Sequence, residues 1–295
     1  MNKLPANITR LYEILKSCRL CPHNCGVDRL AGQKGLCRSA EEVLISSANL
    51  HFSEEPPISG KRGSGTIFFT NCSLSCVFCQ NYPISQLGHG NPLTIKKLAE
   101  KMLELEKKGA HNINFVTPTH YAAQMAKAVH TAREKGLNIP ILYNSSGYDS
   151  VETLKLLEGI VDIYMPDAKY CDDKNSAKFS NAEHYWEANK KALKEMHRQS
   201  GLLKLNSEGL AVKGVIIRHL VLPGGLSGSE TVLKFIAKEI SKDTYLSLMS
   251  QYHGAHRSAE YPELKAKLTH KEYDKILELA RELGFENGWR QEPDK

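Results

Sequence analysis

Residues 66–79 read TIFFTNCSLSCVFC, and the interpretation of the rest of the chain starts from this stretch. Its first half is a short run of apolar and β-branched residues, which is typical of a buried strand. Its second half, the three-cysteine loop, spaces Cys72, Cys76 and Cys79 as C-x3-C-x2-C. Thiolates suit iron–sulfur clusters, and a cubane cluster has four irons to coordinate. The loop therefore predicts a [4Fe-4S] cluster with one iron left open.

The alternatives for this loop are a zinc site or buried structural thiols. Structural zinc usually takes four ligands, and neither a fourth cysteine nor a near histidine completes the loop. An open iron can chelate an amine and a carboxylate, which S-adenosylmethionine (SAM) carries at its methionine end. Reductive cleavage of SAM would release a 5'-deoxyadenosyl radical that abstracts hydrogen from a substrate.

From residue 66 onward the sequence alternates strand patterns with longer amphipathic helix patterns. Strands are predicted at 66–71, 112–116, 139–144, 161–165, 214–221 and 245–250. Strands joined by single helices run parallel, so these units predict an α/β fold, a partial (β/α)6 barrel of parallel strands. Ligands of such folds bind at the carboxyl ends of the strands.

Helix ends are also readable. Thr94 can cap a helix that has Lys107 and Lys108 in its last turn and stops at Gly109. Both Ser227 with Glu230 and Thr269 with Glu272 fit the capping box. The predicted domains are an N-terminal helix with a four-cysteine metal site, the barrel and a C-terminal helical cover, at 1–60, 61–255 and 256–295.

Composition places the chain among soluble globular proteins, with 41% hydrophobic and 24% charged residues in a length of 295. The net charge of +6 comes from 39 basic and 33 acidic residues spread along the chain. The sequence has no long apolar run and no signal-peptide pattern. We therefore expect a cytoplasmic location, with neither a membrane nor a nucleic acid as partner.

A second group of cysteines lies near the N-terminus. Cys18, Cys21, Cys25 and Cys37, here called the N-terminal quartet, are interspersed with glycines that permit tight turns. Four thiolates can hold either zinc or an auxiliary iron–sulfur cluster, and reducible free thiols are a third possibility. A second cluster could relay electrons to the first, whereas zinc would only staple the segment.

The three-cysteine loop, with Phe78 before its last cysteine, resembles the signature of the radical SAM superfamily. The longer stretch SGKRGSGTIFFTNCSLSCVFCQNYPIS (59–85) is similar to a branch related to pyruvate formate-lyase activating enzyme. This resemblance extends from the N-terminal quartet to about residue 256. It implies an oxidoreductase with a [4Fe-4S] cluster, SAM, a monovalent cation, and a reductant such as flavodoxin or ferredoxin.

The resemblance also implies cofactor contacts at particular positions. In the superfamily the aromatic residue at the Phe78 position packs near adenine, and His253 matches a cofactor-contacting histidine. The segment from Asn144 and Ser145 to Gly147 is similar to the Asp-Thr-Asn-Gly of activating enzymes. Such residues approach the methionine moiety and build the cation site, although Asn144 replaces a carboxylate.

One segment departs from the pattern of activating enzymes. Where they carry Gly-Gly-Glu after the second strand, this chain has Thr117-Pro118-Thr119-His120. Thr117 and Thr119 can still offer hydroxyl groups to the cofactor.

Three charged residues are candidates on their own chemistry. Asp167 and Lys169 alternate along extended backbone in a segment similar to the Met-Leu-Asp-Leu-Lys of activating enzymes, so both can reach one pocket. They would pair the SAM amine and carboxylate, the alternative being a surface ion pair. Arg218 lies in the apolar run VIIRHLVLPGG and needs an anionic partner. That partner is either the SAM carboxylate or a structural carboxylate.

Three functions remain open at this point. The radical can act on a partner protein, as in glycyl radical activation, which the resemblance alone supports. It can instead modify RNA or a small molecule. A non-enzymatic metal-binding scaffold is the third hypothesis, and it predicts that Asp167, Lys169 and Arg218 point away from the three-cysteine loop.

Overall fold

The computed structural model of the chain describes residues 4–290. Within that range the strands are β1 (Val43–His51), β2 (Ser64–Phe69), β3 (Asn91–Leu93), β4 (Ile113–Val116), β5 (Ile141–Ser145), β6 (Ile163–Pro166), β7 (Lys204–Leu205), β8 (Ala211–Leu220), β9 (Tyr245–Met249) and β10 (Gly288–Arg290). The α-helices are α1 (Ala6–Leu15), α2 (Pro56–Ser59), α3 (Tyr82–Ser85), α4 (Ile95–Lys107), α5 (Ala122–Glu134), α6 (Val151–Leu156), α7 (Asp173–Ser180), α8 (Tyr185–Ser200), α9 (Ser229–Phe235) and α10 (His270–Glu282). A π-helical segment (Ile236–Ser241) continues α9.

The strands form one open sheet in the order β10-β9-β8-β6-β5-β4-β2-β1-β3. All neighbours from β2 to β10 along this order are parallel. Each of the six predicted strands is present, so the prediction of an α/β partial barrel is confirmed. The first one ends earlier than predicted, because Thr70 follows Phe69 outside the strand and Asn71 adopts a left-handed φ of 71°.

Part of the predicted N-terminal domain belongs to the same sheet. Strand β1 pairs antiparallel with β2 and with β3, which adds an antiparallel edge to the parallel strands. Helix α1 buries Ile8, Leu11 and Ile14 against the barrel. The domain boundary at residue 60 stays a prediction, but the segment before it is packed into the fold.

Two of the predicted helix caps are present and one is wrong. Thr94 Oγ1 accepts the amide hydrogen of Lys97 at 3.3 Å, and Thr269 forms the capping box of α10 with Glu272. In contrast, α9 begins after Gly228 without a side-chain cap. The Ser227 hydroxyl instead accepts the amide hydrogen of Leu222 at 3.2 Å, because the chain turns sharply before the helix.

Helix α7 forms from a polar segment. The Asp172 carboxylate accepts the amide hydrogens of Lys174 and Asn175, which caps α7. Helix α7 carries Ser180 and Phe179 towards the three-cysteine loop, whose Ser75 and Val77 amides donate to their carbonyl groups. The polar segment therefore supports the loop. No helix in the described part of the chain combines the length and apolarity needed to cross a lipid bilayer.

Candidate active site

Loops at the carboxyl ends of the parallel strands surround a cavity of about 470 Å³. Its wall includes the three-cysteine loop after β2, Thr117 after β4, the end of β5, and the segment after β6. A volume of this size lies in the range of about 300–1,000 Å³ that is usual for small-molecule sites. The cavity lies where the sequence predicts a ligand.

The three loop cysteines all face this cavity. Cys76 is buried, and Cys72 and Cys79 are half-buried. Burial raises the pKa of the Cys76 thiol to about 11 and that of Cys72 still further. Because metal ligation requires thiolates, binding a metal here must displace protons.

Each of the three sulfurs also has one polar partner in the protein. The contacts are Leu74 N–H to Cys72 Sγ at 3.3 Å, Ser180 O–H to Cys76 Sγ at 3.0 Å, and Ser85 Oγ to Cys79 Sγ at 3.1 Å. Hydrogen bonds to ligating sulfurs stabilise the thiolate form and tune cluster potentials.

These residues fit the [4Fe-4S] cluster that the resemblance implies. The donor set consists of soft thiols, each polarised by one hydrogen-bonding partner, around a cavity with room beside them. Within residues 4–290, no group of three or more His, Cys, Asp or Glu side chains converges as a site for a single metal ion. A cubane places each thiolate on a different iron, so its ligands surround it rather than converge on one point.

Asp167 and Lys169 line the same cavity as the loop. Lys169 Nζ is 2.6 Å from Asp167 Oδ2, with the two side chains 17% and 18% exposed. Burial opposes the charged form of Lys169, but Asp167 and Cys76 raise the pKa of its ammonium group above the usual range. The structure brings this pair, Asp167 and Lys169, to the same cavity as the cysteines, while its contact with SAM stays a prediction.

Arg218 has its anionic partners within the chain. Its Nε donates to Glu55 Oε1 at 2.7 Å, its Nη2 donates to Glu55 Oε2 at 2.6 Å, and Nη2 also bonds Glu54. Asn114 Nδ2 donates to Glu54 Oε1 at 3.0 Å. The anionic partner of Arg218 is thus a structural carboxylate, which is the second of the two alternatives from the sequence. Glu54 and Glu55 follow β1, which lies far from β8 in the sheet order, yet their side chains reach Arg218. A further contact of Arg218 with SAM stays a prediction.

Thr117 and Thr119 are placed differently. Thr117 lines the cavity with a left-handed φ of 59°, which costs on the order of 1–3 kcal/mol for a β-branched residue. Thr119 is buried, and its hydroxyl donates to Asp149 Oδ1 at 2.7 Å. A buried carboxylate thus accepts the Thr119 hydroxyl hydrogen, and the contact of Thr119 with the cofactor stays a prediction.

Asp149 organises the end of β5. It is buried and also accepts the hydroxyl hydrogens of Tyr143 and Ser145 at 2.9 and 2.6 Å. Burial raises the pKa of Asp149. Asn144 and Ser145 line the cavity, and the Ser145 hydroxyl donates to Asp149. Whether they contact SAM or a cation stays a prediction.

Phe78 and His253 lie outside the wall of this cavity. Phe78 is buried in a second apolar cluster, with its ring 5.9 Å from that of Tyr252 in an edge-to-face arrangement. His253 is exposed beside a neighbouring cavity that Tyr252 and Leu264 also line. Their predicted cofactor contacts are not tested by this geometry.

The N-terminal quartet is gathered into one neighbourhood. Cys18, Cys21 and Cys37 are buried and Cys25 is half-buried. Burial raises the pKa of the Cys21 thiol, and the nearness of the other three cysteines raises it further. The metal predicted for this group stays a prediction.

Some residues of this cavity have little or no signal in the sequence. Glu54 and Glu55 have a weak one, since two acidic residues before a Pro-Pro pair can indicate a fixed acidic turn. Ser85 and Ser180 have no sequence signal, since serine is common in loops. Trp289 lines the cavity from the distant C-terminal strand β10.

Proteins similar to this chain are known both in sequence and in fold. An uncharacterized protein of Methanocaldococcus jannaschii, MJ0674, is 32% identical over 295 residues, covering 97% of this chain and 80% of the relative. The structure of Streptococcus suis SuiB bound to S-adenosylmethionine superposes with a TM-score of 0.52 at 13% identity, over 76% of this chain and 48% of SuiB. The FeFe-hydrogenase maturase HydG of Carboxydothermus hydrogenoformans has a TM-score of 0.53 at 12% identity, over 97% of this chain and 66% of HydG.

The two structures share the fold with this chain, which spans about half the length of SuiB. The model of the Radical SAM superfamily matches residues 66–224, from the first barrel strand to the turn after β8. That range is more than half of the chain and includes the three-cysteine loop and the segment of Asp167 and Lys169. The chain belongs to the radical SAM superfamily.

Proposed function

We propose that this protein is a radical SAM oxidoreductase that cleaves SAM reductively at a [4Fe-4S] cluster held by Cys72, Cys76 and Cys79. Membership of the superfamily implies both cofactors. One observation carries the proposal: the three sulfurs and the pair of Asp167 and Lys169 face one cavity at the carboxyl ends of the strands. When bound, the cluster supplies the electron that divides SAM into methionine and a 5'-deoxyadenosyl radical.

The residues of the chain bind and orient the cofactor in this proposal. The Lys169 ammonium pairs the SAM carboxylate, and Asp167 accepts hydrogen bonds from the SAM amine. Side chains of α8 hold the backbone of both residues in place. Asn189 Nδ2 donates to the Asp167 carbonyl at 2.9 Å, and the Lys169 amide donates to Tyr185 Oη at 2.9 Å. The scaffold hypothesis expects these charges to point away from the loop, which this geometry opposes.

The proposed substrate is a glycyl residue of a partner protein, from which the radical abstracts hydrogen. The support is the similarity of residues 59–85 to the branch related to pyruvate formate-lyase activating enzyme. The proposed electron donor is a flavodoxin or a ferredoxin. RNA and small molecules are the competing substrate classes.

The cleavage reaction can be tested on anaerobically purified protein. After reduction, the brown wild-type protein should convert SAM into methionine and 5'-deoxyadenosine, measured by liquid chromatography. Cys76→Ala should abolish the conversion, because it removes a cluster ligand. Cys171→Ala is the matched control and should react normally, since Cys171 does not line the cavity. A reduced, iron-loaded protein that leaves SAM intact would refute the proposal.

The substrate class needs a separate experiment. Candidate partner proteins labelled with deuterated glycine are incubated with the reduced enzyme and unlabelled SAM. Deuterium should then appear in 5'-deoxyadenosine, as read by mass spectrometry. Transfer from labelled RNA or from a small-molecule extract, with none from protein, would replace the glycyl assignment by the corresponding alternative.

A further inference from the structure

We propose that the N-terminal quartet holds a second iron–sulfur cluster, which delivers electrons to the three-cysteine loop. The inference rests on the proposed function for the identity of the electron acceptor. A reduced one-electron carrier protein, of the flavin or iron–sulfur class, gives one electron to the quartet cluster, which then gives one electron to the loop cluster. No bond is made or broken in this transfer, and no proton moves.

The quartet is built by tight backbone turns. The Cys18 amide donates to the Val27 carbonyl at 2.9 Å, and the Gly26 amide donates back to the Cys18 carbonyl at 2.9 Å. Gly35 approaches so closely that a Cβ there would lie 2.9 Å from Cys25 Sγ. The fold thus brings four thiols together from a segment that has little regular secondary structure.

The sulfurs of the quartet resemble those of the loop in their surroundings. In both groups the thiols lie close enough together that each cysteine raises the pKa of its neighbours. A zinc ion needs all its sulfurs about 2.3 Å from one centre, whereas a cubane distributes them over four irons. Four thiols gathered in this way can supply one ligand to each iron of a cubane.

One hydrogen bond joins the quartet directly to the loop. His23, between Cys21 and Cys25, donates from Nε2 to the Ser73 carbonyl at 2.7 Å, and Ser73 follows Cys72 in the chain. Burial lowers the pKa of His23. The Tyr148 ring packs edge-on against the imidazole at 5.1 Å and holds it in place. A short path of covalent bonds and one hydrogen bond thus connects Cys21 of the quartet with Cys72 of the loop.

A second path reaches another loop cysteine. Arg38, next to Cys37, donates to the Ser85 carbonyl at 2.6 Å and to the Gln86 carbonyl at 2.9 Å. The hydroxyl of the same Ser85 lies 3.1 Å from Cys79 Sγ. Ser39 adds a contact, since its hydroxyl accepts a hydrogen bond from Asn71 at 3.1 Å. Two of the three loop cysteines are therefore linked to the quartet.

These links favour a redox role over a zinc staple. Zinc has no redox chemistry. If the quartet held zinc, the hydrogen bonds from His23 and Arg38 to residues near the loop cysteines would contribute only to packing. The half-buried Cys25 is the member of the quartet on the solvent side, while Cys21 and Cys37 adjoin the two paths inward. An outer side open to a donor and an inner side bonded to the acceptor is the arrangement that electron delivery requires.

The metal can be identified without any enzyme activity. In the variant Cys72→Ala, Cys76→Ala, Cys79→Ala, any remaining cluster must reside at the quartet. We expect iron and inorganic sulfide at about four each per chain, an iron–sulfur absorbance, and a paramagnetic resonance signal after reduction. Zinc alone, or no metal, in this variant would overturn the inference.

Two further measurements keep this test decisive. Wild-type protein should contain about eight irons per chain, which covers the case in which the triple variant fails to fold. The complementary variant Cys18→Ala, Cys21→Ala should retain the loop cluster. Wild-type protein with about four irons and one zinc would refute the quartet cluster and leave the proposed function intact. Protein that holds both clusters but does not cleave SAM would refute the proposed function and leave the quartet cluster intact.

The delivery of electrons has its own variant. His23→Phe keeps a ring against Tyr148 but removes the hydrogen bond to Ser73. The rate at which reduced flavodoxin reduces the loop cluster, monitored as the loss of the cluster's visible absorbance, should fall several-fold. The rate of reduction by dithionite should not change. His184→Phe, at an exposed histidine, is the control and should match the wild type. Equal rates for His23→Phe and the wild type would refute the delivery role.

Discussion

The cavity has two charged groups that are built in different ways. The strand-end pair, Asp167 and Lys169, consists of one anion and one cation that are two residues apart and 18% and 17% exposed. The arginine cluster consists of Arg218, 17% exposed, with Glu54 and Glu55 at 8% and 4%. The pair is neutral, whereas the cluster carries one negative charge in excess. Both groups line the same cavity.

This difference indicates that one group contributes mainly to ligand binding and the other mainly to stability. In the cluster, each carboxylate has a cation or an amide as partner, so its charges are satisfied without a ligand. In the pair, Lys169 Nζ and Asp167 have donor and acceptor capacity left for a zwitterionic ligand. We therefore expect changes in the arginine cluster to affect unfolding most, and changes in the strand-end pair to affect SAM binding most.

The largest effect is expected for Arg218→Met. The change leaves two buried carboxylates without a cation and should lower the free energy of unfolding by about 3–5 kcal/mol, measured by urea denaturation. Lys101→Met removes an exposed ion pair with Glu104 and should cost less than about 1 kcal/mol. If the two losses were equal, the arginine cluster would be no more than a surface pair.

Acid pH should lower the free energy of unfolding through groups next to the strand-end pair and in the arginine cluster, in a different pH range for each. Burial lowers the pKa of His219, which hydrogen-bonds the Ala168 carbonyl behind the strand-end pair, from 6.5 to about 4. The unfolded chain takes up this proton below pH 6.5 while the folded chain does not until about 4. Stability should therefore fall between these values, by on the order of 2–3 kcal/mol.

Glu55 acts at lower pH. Burial opposes its charge, but Arg218 overrides this and lowers the pKa of Glu55 below the ordinary 4.5. Its stabilisation is complete above that value and is lost as pH falls through the folded-state pKa. Unfolding free energies measured against pH should flatten between 6.5 and 4 in His219→Gln, and below 4.5 in Glu55→Gln. Curves parallel to the wild type would contradict the assignment.

For the strand-end pair, Lys169→Met tests binding. Loss of the ammonium partner should weaken SAM affinity by about tenfold, equivalent to about 1.4 kcal/mol, with a smaller change in unfolding. Titration calorimetry on cluster-loaded protein measures it. Lys174→Met, at an exposed lysine of α7, serves as control and should bind normally. An unchanged affinity in Lys169→Met would remove this pair from the cofactor site.

A smaller loss of stability is expected for Asn114→Ala than for Arg218→Met. The change removes one hydrogen bond to Glu54 and should cost about 1–2 kcal/mol of unfolding free energy with unaltered SAM affinity. Asn49→Ala, at an exposed position of β1, should stay within about 0.5 kcal/mol of the wild type. A loss of SAM affinity in Asn114→Ala would assign the arginine cluster to binding after all.

Much of the fold could be predicted because its signals are local. Six strands, the cap at Thr94 and the capping box at Thr269 follow from periodicity and from side chains that bond amides three residues away. The Ser227 box failed because its hydroxyl found a partner in Leu222 that the turn before α9 created. Strand β1 was missed because it lies among turn and cysteine motifs, outside the strand–helix alternation.

The sequence by itself determined the family, the parallel barrel, the three-cysteine loop and the spacing of Asp167 and Lys169. Each of these depends on residues that are neighbours in the chain. Only the tertiary structure decided that Arg218 pairs with Glu54 and Glu55, that Thr119 turns to Asp149, and that His23 meets Ser73. The partners of these side chains come from distant segments. A buried charge or hydroxyl bonds whatever group the packed sheet and loops place within reach, and no local pattern encodes that group.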